Sequence, residues 1–229
     1  MDRNTLGQSA AKKHGKLSIF ASYFPGAGKH CRMLQAGEQA QRSGTDVVIG
    51  TLSCSLWPET GTAASRFETL PGKKMQKDGR TVEELDLDAC LKRHPDLILI
   101  DELSHLNAEE ARHMRRYQDI EELLKAGINV YTTLDISHIE SIQEAYPRDR
   151  HLCARPNTGP DFDHAAQVEF IDIEPEQLQQ RLLRQNGGEL LAGYTVVQLS
   201  ACVRSGFGGA RTGQHVPRKQ YTAKRCIGS

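Results

Sequence analysis

Two hydrophobic periods alternate along this chain, and the switches between them mark out its elements. Residues 17–22 form a short apolar run that reads as a strand. After Lys29, the residues Met33, Leu34, Gly37 and Ala40 recur at helical spacing until Gly44 stops the helix. A second strand follows at 46–51, then a less regular stretch through Pro58, Pro71 and Asp78-Gly79. Thr81-Val-Glu-Glu84 matches a capping box and predicts a helix with Val82, Leu85 and Ala89 on one face. Residues 97–103 are an apolar strand running into Asp101 and Glu102. Asn107-Ala-Glu-Glu110 predicts another helix start or a turn. Tyr117, Ile120, Leu123 and Leu124 stripe a helix closed by Gly127. Strands are predicted at 128–133 and 168–173. Asp135 caps a predicted helix reaching Glu144, and Glu174-Pro175 opens a last one bearing Leu178, Leu182 and Leu183. Strands alternating with helices of this length predict an α/β fold: a mainly parallel sheet with helices on both faces.

Composition narrows the class without naming a function. A chain of 229 residues can bury one substantial core. Zero formal net charge speaks against a general nucleic-acid binder, and no apolar run is long enough to cross a bilayer. Residues 1–15 lack the apolar stretch of a signal peptide, so a cytoplasmic location without membrane insertion is expected. None of the six cysteines forms a C-x-x-C pair, which leaves no zinc-ribbon or dithiol motif. Residues 204–229 carry six Lys or Arg and no Asp or Glu, and read as a basic, mostly disordered tail.

The chemistry concentrates at two places. Pro25-Gly-Ala-Gly-Lys29 is a glycine turn between the first strand and the first helix. Such turns cradle phosphates, because glycines let the backbone approach, the helix start presents N–H groups and the lysine adds charge. The complete signature is G-x-x-x-x-G-K-[ST]; here Tyr23 stands at its first glycine and His30 at its hydroxyl residue. The expected nucleotide-binding residues are Pro25, Gly26, Ala27, Gly28, Lys29, His30 and Cys31. The second place is the acid-ended strand, since ligands of parallel sheets sit at the carboxyl ends of strands. There Asp101 can hold Mg²⁺, directly or through water, and Glu102 can orient or deprotonate a water. Cys31 reads chiefly as a small packed residue, with a thiol activated by the helix start as the alternative. His105, Arg112, His113 and Arg116 lie just beyond the strand, where cations can meet phosphate, a partner or only solvent. Thr132 and Thr133 end another strand and either face the site or serve structure.

With these residues in view, the chain resembles the N-terminal cytoplasmic sensor domain of KdpD-type potassium-sensing histidine kinases. The likeness covers roughly residues 15–185. Its carriers include Pro25-Gly-Ala-Gly-Lys29, Asp46-Val-Val-Ile-Gly50, Pro58-Glu-Thr60, Asp101-Glu-Leu-Ser-His105, Arg116-Tyr-Gln-Asp-Ile-Glu-Glu-Leu-Leu124 and Ala126-Gly-Ile-Asn-Val-Tyr-Thr-Thr133. The resemblance implies a P-loop NTPase-like domain that binds ATP with Mg²⁺ and modulates an attached kinase. Residues 1–14 are then an extension expected to be disordered, 15–188 the nucleotide-binding domain, and 189–229 a segment ending in the basic tail. The chain departs from the family pattern at His30, where the family has threonine. It departs again at Ser53-Cys-Ser-Leu-Trp57, which replaces a segment containing an acid, a histidine and an arginine.

A short form without the phosphotransfer and catalytic kinase domains is expected to be a regulatory module. Its expected partners are nucleotide and a separate sensor kinase chain or response-regulator system, with no nucleic acid. The alternatives are a slow ATPase using Glu102, and a degenerate scaffold that binds no nucleotide, favoured by Tyr23 and His30.

Overall fold

The computed structural model describes residues 14–22, 26–53, 58–135, 165–173 and 221–225. Within them a seven-stranded, wholly parallel sheet runs in the order β3-β2-β6-β7-β1-β8-β9. Its strands are β1 (Leu17–Ser22), β2 (Val47–Thr51), β3 (Glu68–Thr69), β6 (Leu97–Ile100), β7 (Asn129–Asp135), β8 (Gln167–Asp172) and β9 (Tyr221–Arg225). A parallel sheet is covered on both faces, so its central strands must be apolar at every position. Leu97-Ile-Leu-Ile100 meets that demand, with all four residues buried.

The two faces collect separate cores. Ile49, Leu97 and Leu99 turn to one side, where they pack with Met33 and Leu34 of helix α1 (Lys29–Arg42) and with Phe67. Ile98, Ile100, Val130 and Val168 turn to the other. There they meet Leu87 and Cys90 of α3 (Leu87–Arg93) and Ile120, Leu123 and Leu124 of α4 (Arg116–Lys125). A short α2 (Pro58–Ala64) packs beside α1. The fold class expected from the alternating pattern is therefore observed.

One expected helix is a hairpin instead. β4 (Lys73–Lys77) and β5 (Arg80–Glu84) pair antiparallel, with Lys77 opposite Arg80. Asp78 and Gly79 both have positive φ (50° and 74°), the requirement of the two-residue turn whose twist matches a hairpin. The Asp-Gly pair thus prevails over the Thr81–Glu84 capping pattern. Helix α3 begins only at Leu87, where the Asp86 carboxylate accepts the Ala89 N–H at 3.0 Å. Residues 107–114 form turns rather than a helix. Within the segment expected to be a basic tail, Tyr221–Arg225 is a strand, parallel to β8 with Val168 opposite Tyr221. The helices expected beyond Asp135 and from Glu174 lie outside the described residues, as do Tyr23, Pro25 and Trp57.

Candidate functional site

Parallel registers bring four strand ends to one edge. Ser22 at the end of β1 pairs with Asp135 at the end of β7, and Ile100 pairs with Thr132, which sets Asp101 beside Thr133. On the other flank, the Asp101 N–H donates to Thr51 O at the end of β2 (3.0 Å). Gly26, Ala27 and Gly28 lead into α1 at this edge, where Lys29 and His30 reach acids at the strand ends. Gly28 is the N-cap of α1 at φ 103°, a backbone state in which any side chain is strained.

Lys29 and His30 then reach two different acids. Lys29, buried, donates from Nζ to Asp135 Oδ1 at 2.5 Å. His30 Nε2 lies 2.8 Å from Asp101 Oδ1. The Thr133 hydroxyl also donates to Asp101 Oδ1 while accepting the Glu102 N–H at 3.0 Å, and the Ser53 N–H donates to Asp101 Oδ2 at 3.1 Å. Burial is the largest influence on Asp101 and opposes its ionisation. The His30 hydrogen bond and charge, with the Thr133 and Ser53 donors, outweigh it and hold the carboxyl down to about 2. Glu102 follows at φ 59°, a positive value for a residue with a side chain, and that side chain is half-exposed.

The expected residues are thus partly gathered. Gly28, Lys29, His30 and Asp101 meet, with Gly26 and Ala27 in the turn. Cys31 lies on the first turn of α1 with its sulfur 3.8 Å from Thr60 Oγ1, a packed position. Of the two threonines, Thr133 serves the cluster. Thr132 alternates to the opposite face, where its buried hydroxyl has no hydrogen-bond partner among the described residues. Asp135, read from the sequence as a helix cap, is the counter-charge of Lys29. Only its place at the end of a strand could have signalled that. An Mg²⁺ ion at Asp101 does not suit this donor set. Mg²⁺ needs hard oxygen ligands in a tight octahedron, whereas Asp101 is taken up by protein donors and a ring nitrogen stands where a hydroxyl was expected. Among the described residues no cluster of three or more His, Cys, Asp or Glu could hold a metal.

The cations beyond β6 belong to a second network. Arg116 is buried and its Nη2 donates to Glu84 Oε2 at 2.8 Å, while its Nε donates to Asn107 Oδ1 at 3.2 Å. His105 Nε2 lies 3.0 Å from Glu84 Oε2, and His113 Nδ1 lies 2.8 Å from Asp119 Oδ1. Arg112 pairs with Asp88 and Glu122 at the surface. These groups clamp the hairpin and the 104–116 loop onto α4.

Fold and site together define a class: a parallel α/β domain with a glycine turn, a buried lysine and strand-end acids at one sheet edge. A family model described as KdpD, osmosensitive K⁺ channel His kinase sensor domain, matches residues 13–190, and the chain belongs to that family. It is 42% identical over 172 residues to the sensor protein KdpD of Clostridium acetobutylicum, covering 74% of this chain and 19% of that protein. The sensor protein KdpD of Escherichia coli is 41% identical over 179 residues, 77% of this chain and 20% of the relative. A putative sensor protein KdpD of Synechocystis is 41% identical over 180 residues, 78% of this chain and 48% of the relative. The chain thus spans about a fifth of the length of the first two relatives and about half of the third. Among the described residues, no helix is long and apolar enough to cross a membrane.

Proposed function

We propose that this chain is a nucleotide-binding regulatory module of a KdpD-type two-component system. ATP phosphates are held by residues 25–31, against the start of α1 and Lys29. The observation that carries this reading is the convergence of Gly28, in its left-handed backbone state, Lys29 and the acids Asp101 and Asp135 on neighbouring strand ends. Family membership supports the regulatory role. The partner is a sensor kinase chain or response regulator, which reads the segments 52–80 and 104–116. Calorimetric titration with ATP tests this. Binding that Lys29→Ala abolishes is expected; no heat and no thermal stabilisation at millimolar ATP leaves the scaffold reading.

Glu102 favours a second activity, slow ATP hydrolysis. A residue with a side chain at φ 59° costs about 1–2 kcal/mol, and such strain gathers at functional sites. Its partly exposed carboxylate follows Asp101 directly and can orient a water. Phosphate release should then fall about 100-fold in Glu102→Gln with ATP binding retained. Equal release from both proteins removes Glu102 from the chemistry.

A further inference from the structure

The His30 ring occupies the position in which a phosphate-binding turn offers a hydroxyl to a metal, and it has a defined task there. Its Nε2–H donates to Asp101 Oδ1 at 2.8 Å, and the Thr133 hydroxyl donates to the same oxygen. A carboxylate presents about four lone-pair positions. Both on Oδ1 are therefore in use, and the Ser53 N–H takes one of those on Oδ2. Three of the four positions on Asp101 are thus taken by protein donors, which come from α1, β7 and the segment after β2. The ring is partly exposed (18%), so it is not part of the apolar core.

A divalent ion bound through Oδ1 would have to displace this arrangement, and the position left on Oδ2 offers it one ligand only. It would strip a buried carboxylate of a good hydrogen bond and replace it with a single ligand, without the hydroxyl that normally completes the set. The positive charge facing the phosphates comes instead from Lys29, which has three N–H donors and spends one on Asp135. We propose that this chain binds nucleoside triphosphate without a divalent cation, His30 holding Asp101 in the place of the metal. The proposal rests on the nucleotide reading above and specifies the ligand: the free nucleotide, not its magnesium complex.

Calorimetric titration of the full chain with ATP, once in excess EDTA and once in excess Mg²⁺, decides it. The expected result is that Mg²⁺ leaves the wild-type Kd within about twofold or weakens it. In His30→Thr, which restores the hydroxyl and frees Oδ1, Mg²⁺ should tighten ATP binding by about tenfold or more. The wild-type comparison stands alone if that variant does not fold. A second wild-type readout is electron paramagnetic resonance of Mn²⁺ with ATP, in which no protein-bound Mn²⁺ signal is expected. Wild-type binding that Mg²⁺ tightens by about tenfold overturns the metal-free proposal and leaves the nucleotide reading intact. Absence of ATP binding in both buffers overturns the nucleotide reading, and the proposal with it.

Discussion

Lys29 and Asp135 are 106 positions apart in the chain and 2.5 Å apart in space. The lysine is nearly enclosed, and a buried ammonium without a counter-charge is costly. Asp135 removes that cost in the free protein. It also sets a carboxylate beside the place proposed for a phosphate, so nucleotide has to share Lys29 with an anion that repels it. Asp135→Asn keeps an acceptor for Lys29 and removes the charge. ATP should then bind about tenfold tighter, the equivalent of about 1.4 kcal/mol. Without ATP the variant should melt several degrees lower, because Lys29 loses its ion partner. Calorimetry and thermal melting read the two effects separately. Unchanged affinity with a lowered melting temperature would mean that Asp135 serves only the fold.

At the scale of the elements, the β4–β5 hairpin is held by its last residue. Glu84 is buried at the end of β5 and accepts from Arg116 on α4, from His105, and from the Ala108 N–H at 3.1 Å. Removing one partner of such a pair strands the other charge, so Arg116→Met should destabilise the protein by about 3–5 kcal/mol in urea unfolding. A loss below 1 kcal/mol would show that His105 and the backbone donor suffice for Glu84. His105 gives the clamp a pH dependence. Burial is the largest influence and lowers its pKa, but Glu102 and Glu84 more than reverse this, and the net shift is upward from 6.5. The stability it contributes is full below pH 6.5 and declines as pH rises through the higher folded value. Urea midpoints should therefore fall on the alkaline side in the wild type and flatten in His105→Gln. None of this clamp was legible in the sequence. Thr81-Val-Glu-Glu84 satisfies a local helix rule, and only the pairing across Asp78-Gly79 turns Glu84 inward. Arg116 reads as a cation for phosphate, a partner or solvent until α4 is laid against the hairpin.

At the scale of the whole molecule, the main sheet of the described residues is parallel. It gathers Lys29, His30, Asp101 and Asp135 at one edge, and its layers are legible in the sequence. The apolar runs at 17–22, 97–100 and 128–133 and the helical stripes between them set the layers. The glycine turn and Asp101 marked the edge. What single segments could not disclose is adjacency. β7 lies between β1 and β6, so Thr133 reaches Asp101 and Asp135 reaches Lys29. Asp101 is the node of that arrangement, tied to α1 through His30, to β7 through Thr133 and to the segment after β2 through Ser53. Its carboxyl is held down from 3.8 to about 2, which corresponds to about 2 kcal/mol of folding stability. A carboxyl depressed by folding contributes that stability above its unfolded pKa and loses it as pH falls through the folded one. The loss should therefore run from about pH 4 down to about pH 2. Asp101→Asn should begin about 2 kcal/mol less stable at neutral pH and lack this share of the acid decline. Circular dichroism across urea gradients at pH values from 2 to 7 would measure it. Parallel acid declines in the two proteins would mean that other carboxylates govern acid unfolding and that Asp101 joins the strand ends without stabilising them.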